Sequence, residues 1–283
     1  MVGTSVLVDV QELQRLCRST APPRLLDVRW RLGDPTGRDQ FLAGHIPGAA
    51  FVDLDRELAA KASPRAGRHP LPSVDQLQAA ARRWGLRKGD SVVVYDDNAS
   101  MSAARAWWLL RWGGMERVYL LDGGLRAWRA AGGELETGPE LAEPGDIELV
   151  PGHLPTVLID GVAGAARSGL LLDARAAERF RGDAEPVDPK AGHIPGAVSA
   201  PTTENLTADG CFRPAPELER RFLGLGAHPG VAIAVYCGSG VTAAHEIAAL
   251  SIAGLEAALY PGSWSEWSNQ EDRPVATGPS PAE

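Results

Sequence analysis

The sequence predicts an α/β protein of two tandem domains, each a parallel-sheet α/β domain with helices on both faces. Three observations carry this. First, the chain repeats itself. Leu25-Leu26-Asp27-Val28-Arg29-Trp30, followed by Gly44-His45-Ile46-Pro47-Gly48-Ala49, returns as Leu171-Leu172-Asp173-Ala174-Arg175-Ala176, followed by Gly192-His193-Ile194-Pro195-Gly196-Ala197. Second, short apolar, β-rich runs alternate with helical patterns in each half, the arrangement of a parallel sheet covered on both faces. Third, residues 136–156 hold Pro139, Pro144, Pro151 and Pro155 among acidic residues, the composition of a linker.

Each element follows from its residues. The run ending at Asp27 reads as a buried strand, and residues 44–51 as a loop entering a second one. Residues 91–97 (SVVVYDD) form the third strand, the alanine-rich 102–112 a helix, and 120–128 (LLDGGLRAW) a strand turning into a helix. In the second half the counterparts are 171–176, 192–199, 232–238, 241–254 and 258–267. The domains are therefore expected at 1–135 and 157–275, with the linker at 136–156. The tail after Pro274 reads as frayed.

Composition excludes several classes. The chain of 283 residues has 28 Lys and Arg against 36 Asp and Glu, a net charge of −8. A nucleic-acid or anionic-membrane binder would carry the opposite sign. No run of about 18 apolar residues exists to span a membrane, and the N-terminus lacks the pattern of a signal peptide. The expectation is a cytoplasmic protein. Three cysteines, Cys17, Cys211 and Cys237, form no C-x-x-C pair, which argues against a disulfide framework and a metal site.

The halves differ where chemistry is expected. After the third strand the first half reads Tyr95-Asp96-Asp97-Asn98, and the second Tyr236-Cys237-Gly238-Ser239-Gly240-Val241-Thr242-Ala243. In open α/β sheets ligands bind at the carboxyl ends of strands. A strand, a glycine loop and a helix beginning near Val241–Thr242 would hold the Cys237 sulfur over a nest of amides, a setting that stabilises a thiolate. Asp96 at the matching place cannot act as a sulfur nucleophile, so the first half reads as silent. Cys17 and Cys211 read as small apolar fillers. A phosphate-cleaving cysteine loop would need an arginine at the sixth position after the cysteine. Here that position is Ala243, so the loop suits a smaller charge such as a persulfide sulfur.

With Gly262-Ser263-Trp264-Ser265-Glu266-Trp267, these motifs resemble the tandem rhodanese family of thiosulfate and 3-mercaptopyruvate sulfurtransferases, over about residues 5–275. The resemblance implies two rhodanese-like domains with five-stranded sheets, a site in the cleft between them, and a ping-pong reaction through a Cys237 persulfide without cofactor or metal. The donor would be a small molecule and the acceptor a thiol or cyanide, with thioredoxin or a protein sulfur carrier as further candidates; a persulfide relay protein serving a protein acceptor is the alternative function. The loop implies 3-mercaptopyruvate as donor, with thiosulfate as the alternative. Ser239 would serve the leaving group, and Arg179 would bind the carboxylate. Val187 stands where a second arginine is expected, and Lys190 is the candidate to replace it. His45 and Asp39 are implied as a proton relay with Ser239. Gly238, Gly240, Val241 and Thr242 would line the site, with Trp30 as a further lining residue.

Overall fold

A computed structural model of the chain describes residues 5–140 and 143–280. It divides into two units. The first comprises residues up to Ala59, Pro72–His153 and Ala208–Phe212; the second comprises Ala60–Leu71, Leu154–Thr207 and the chain from Arg213 onward. The segment Ala60–Leu71 thus belongs to the second unit although it lies in the first half of the chain.

Unit 1 runs β1 (Leu7–Val8), α1 (Val10–Cys17), β2 (Arg24–Asp27), α2 (Gly37–Ala43), β3 (Ala49–Phe51), α3 (Leu54–Glu57), α4 (Val74–Arg83), β4 (Val92–Tyr95), α5 (Ala103–Trp112), β5 (Val118–Leu121) and α6 (Gly124–Ala130). Its sheet is entirely parallel, in the order β1-β5-β4-β2-β3. All four residues of β4 are buried, as expected for a central strand covered on both faces. Helices α1 and α4 start on side-chain caps. Asp9 accepts from the Glu12 N–H at 2.8 Å and Ser73 from the Gln76 N–H at 3.1 Å. Residues 143–153, part of the expected linker, are strapped onto this unit. The Gly145, Ile147 and Val150 amides donate to Arg82, Leu86 and Gly113 carbonyls. Leu141 and Ala142 of the same stretch lie outside the described residues.

Unit 2 runs α7 (Ile159–Ser168), β6 (Leu170–Asp173), α8 (Ala177–Arg181), β7 (Val198–Ser199), α9 (Ala215–Gly224), β8 (Ile233–Tyr236), α10 (Thr242–Ile252), β9 (Ala258–Leu259) and α11 (Ser263–Trp267). Its parallel sheet has the order β7-β6-β8-β9, four strands rather than the expected five. The fifth is reduced to a single parallel bridge, Thr156 to Leu259, beside Pro155, which has no amide hydrogen to continue a ladder. The tail is not frayed through residue 278. Ala276 bridges His193, and the Gly278 amide donates to the Arg181 carbonyl. Residues 281–283 lie outside the described residues.

The repeated motifs make the same joints in both units. Arg29 pairs with Asp27 at 2.7 Å and donates to the Gly44 carbonyl at 2.9 Å; Arg175 pairs with Asp173 at 2.6 Å and donates to the Gly192 carbonyl at 2.6 Å. The Tyr95 hydroxyl accepts from the Ile46 amide and the Tyr236 hydroxyl from the Ile194 amide. These buried, fully partnered groups lock the Gly-His-Ile-Pro-Gly loop to the strand ends. Among the described residues no helix is long and apolar enough to cross a membrane.

Candidate active site

Cys237 follows β8 directly, and the chain then turns through Gly238-Ser239-Gly240 into α10. Gly240 has φ +78°, a left-handed conformation that glycine adopts freely. That turn aims the Gly240 N–H at the Cys237 sulfur, 3.2 Å away. The sulfur is thus held at the start of a helix that Thr242 opens as its first residue, where amide dipoles favour negative charge. Val241 is buried beside it. Val241, not Thr242, is the N-cap of α10, and its side chain makes no capping hydrogen bond.

The turn between β9 and α11 fastens the loop from behind. The Cys237 N–H donates to Ser263 Oγ at 3.1 Å, the Trp264 N–H donates to the Cys237 carbonyl, and the Ser265 N–H to the Gly238 carbonyl, both at 2.9 Å. Ser263 has φ +55°, a strained value for a residue with a Cβ. Its hydroxyl also donates to the Tyr260 carbonyl, so two hydrogen bonds offset the strain.

Ser239 Oγ is paired with His69 Nδ1 at 2.8 Å, both groups buried. His69 stands in the segment Ala60–Leu71, whose Arg68 amide donates to Ser265 Oγ at 3.0 Å. That close approach depends on Gly67, where a Cβ would fall 2.6 Å from the Gly262 carbonyl oxygen. His69 is therefore the serine's histidine, and the sequence reading missed it. The expected His45 belongs to unit 1 and is committed there. Its Nδ1–H donates to the Phe41 carbonyl at 2.9 Å and its ring stacks on Phe41 at 3.8 Å. His193 does the same with the Phe180 carbonyl and ring, at 2.8 and 3.7 Å. Both Gly-His-Ile-Pro-Gly histidines thus close a loop over an aromatic ring. Asp39 is exposed on α2, and among the described residues no hydrogen bond joins it to His45. Trp30, also in unit 1, donates its indole N–H to Asp55.

Arg179, in the last turn of α8, reaches the Cys237 loop. A Cβ placed at Gly238 would lie 3.4 Å from one of its guanidinium nitrogens and 3.0 Å from one of Arg68. Arg179 is bound by Glu185 at 2.6 Å and by Asp188 at 3.2 Å, and Asp188 also binds Arg68. Burial pushes the Asp188 carboxyl up, against the pull of the two guanidinium groups. Glu185 is held below the usual carboxylate range: burial opposes this, but the Arg179 guanidinium and the Asp188 and Val187 amides outweigh it. Lys190 does not join the group, because its ammonium donates to the Gln270 carbonyl at 2.6 Å. Cys17 is exposed at the end of α1 rather than buried, and Cys211 is half-buried.

The missed residues left faint traces. His69 lies between Arg68 and Pro70 in a stretch with no repeated counterpart, so comparing the halves could not draw attention to it. A lone histidine between a cation and a proline was the available signal.

A family model for the rhodanese-like domain matches residues 9–131 and again 158–270. SseB of Mycobacterium tuberculosis, provisionally named a thiosulfate sulfurtransferase, is 46% identical over 276 residues, covering 96% of this chain and 97% of that protein. A Pseudomonas aeruginosa protein, provisionally named a 3-mercaptopyruvate sulfurtransferase, is 49% identical over 276 residues, covering 94% and 96%. The solved structure of SseA from Escherichia coli, a 3-mercaptopyruvate sulfotransferase of rhodanese fold, superposes with a TM-score of 0.82 at 32% identity, covering 92% of this chain and 99% of that one.

Proposed function

This chain belongs to the rhodanese-like domain family and is a sulfurtransferase, and from that premise we propose that Cys237 carries a sulfane sulfur from 3-mercaptopyruvate to a thiol or cyanide acceptor. The observation that carries the reading is the Cys237 sulfur facing the Gly240 amide, with the Ser239–His69 pair two residues along the same loop.

In this reading the Cys237 thiolate attacks the donor's sulfur. The S–S bond forms, the C–S bond breaks, and its electron pair leaves on the three-carbon fragment as the enolate of pyruvate. That enolate takes one proton to become pyruvate. Ser239 Oγ delivers the proton and His69 replaces it, each over one hydrogen bond. Gly240 N–H stabilises the sulfur when it bears charge, before attack and after transfer. Arg179 pairs with the donor's carboxylate. An acceptor thiolate or cyanide then attacks the outer sulfur of the persulfide, and Cys237 leaves as a thiolate. Thioredoxin or a protein sulfur carrier fits the same second half-reaction.

Intact-mass measurement after incubation with 3-mercaptopyruvate tests this. A gain of one sulfur, lost in Cys237→Ser, supports it, and the absence of any gain in the parent sinks it. Turnover with each donor decides the preference: a thiosulfate kcat/KM equal to or above that of 3-mercaptopyruvate would reverse it.

A further inference from the structure

Resting on the sulfurtransferase reading, we propose that Arg68 and Arg179 form a paired clamp for the donor's anionic group, and that Asp188 occupies the clamp in the free protein and sets which charge the donor carries.

Both guanidinium groups stand against Gly238, the residue after the nucleophile, and the absence of a side chain there leaves them their room. Each is partly open, at 24% exposure for the Arg68 side chain and 20% for Arg179. Asp188, at 2%, is buried between them, with Oδ1 on Arg68 and Oδ2 on Arg179. A carboxylate spanning two guanidinium groups is the geometry in which an external carboxylate would be recognised. Arg68 has donor capacity to spare, since its Nε is buried without a partner among the described residues. Its backbone is tied through Ser265 to the Gly238 carbonyl, so the guanidinium moves with the loop that carries the sulfur.

Charge then decides what the clamp prefers. Arg68 and Arg179 are balanced by Glu185 and Asp188, leaving the group near neutral. A neutral group accommodates a donor bearing one carboxylate and penalises a compact dianion such as thiosulfate. Asp188 is thus a specificity-determining residue that favours a monoanionic 2-oxo acid.

Donor kinetics on the full-length protein test the clamp, with persulfide on Cys237 followed by intact mass. Arg68→Gln is expected to raise the KM for 3-mercaptopyruvate by about 10- to 100-fold, the worth of one charge-assisted hydrogen-bond partner, and to change kcat far less. Arg68→Lys recovers part of the loss. Because Arg68→Gln leaves the Asp188 carboxylate with Arg179 as its one guanidinium partner, Arg68→Gln/Asp188→Asn is measured beside it and keeps the high KM. Asp188→Asn alone shifts the ratio of kcat/KM for thiosulfate over 3-mercaptopyruvate upward by about tenfold, the effect of removing one buried charge beside two part-exposed guanidinium groups. An unchanged KM in folded Arg68→Gln, or an unchanged donor ratio in Asp188→Asn, overturns the clamp while persulfide formation in the parent leaves the sulfurtransferase reading standing. A parent that takes up no sulfur from either donor defeats both.

Discussion

Asp96 in unit 1 and Cys237 in unit 2 follow equivalent strands, and their loops solve one backbone problem in two ways. In each, the amide of the next turn reaches back to the loop: Leu125 N–H donates to the Asp96 carbonyl as Trp264 N–H does to the Cys237 carbonyl. In unit 1 the carboxylate itself fills the cradle. It accepts from the amides of Asn98, Ser100, Ser102 and Ala103 at 2.8–2.9 Å. Helix α5 starts only at Ala103, and Ala99 takes the φ +55° that Gly240 takes at +78°. In unit 2 the helix starts earlier, at Thr242, and one amide faces a sulfur instead. The loop amides after an equivalent strand are thus taken up by an internal carboxylate in unit 1, while in unit 2 the Gly240 amide faces a thiol sulfur. The side chain after the strand and the start of the following helix differ together.

The largest effect that would test this contrast is on sulfur transfer. Cys237→Ser is expected to lower the rate by at least about 10³-fold, as for loss of a nucleophile that acts as a unit with its neighbours. Adding Asp96→Cys to that variant is expected to restore nothing, because Asn98 stands where Ser239 does. Sulfur uptake by the double variant in intact mass would show that the nest alone suffices.

Next is stability. Asp96→Ala strands four buried amides, and chemical denaturation should show a loss of about 3 kcal/mol. A loss below about 1 kcal/mol would mean that water fills the nest readily. Sulfur transfer by the folded protein is expected to persist.

The histidines separate the halves again. His69→Asn should lower kcat for 3-mercaptopyruvate by about 10²-fold. His45→Asn should leave kcat unchanged and cost about 1 kcal/mol of stability through the lost carbonyl bond and stacking. The opposite pattern in steady-state kinetics would return the relay to His45.

The smallest effect is on acid stability. Glu185 has a folded pKa below its unfolded value, so its contribution is present above pH about 4.5, the ordinary glutamate range, and is lost as pH falls through the depressed folded value. Stability of Glu185→Gln should therefore decline less steeply below that pH than the parent's. Asp188, shifted upward chiefly by burial and in part by the Glu185 charge, acts with the opposite sign, and its shift shrinks in Glu185→Gln. Parallel pH profiles of urea midpoints would show that Glu185 is not held by Arg179 in solution.

Local information determined a great deal. The duplication, the strand–helix alternation and the placement of Cys237 between a strand and a glycine loop are written in contiguous residues. They are governed by side-chain period and backbone freedom, which act over a few residues.

Tertiary structure decided which groups meet that loop. His69, Arg68 and Asp188 reach it from segments that are remote in sequence, and neither periodicity nor the repeat marks them. His45 and Lys190 carry the chemistry that a site would want, yet a carbonyl and a ring hold the first and a distant carbonyl the second. Residue type states what a side chain is able to do. Which partner it is spent on depends on long-range packing, because a buried polar group takes whichever complement the fold brings within about 3 Å.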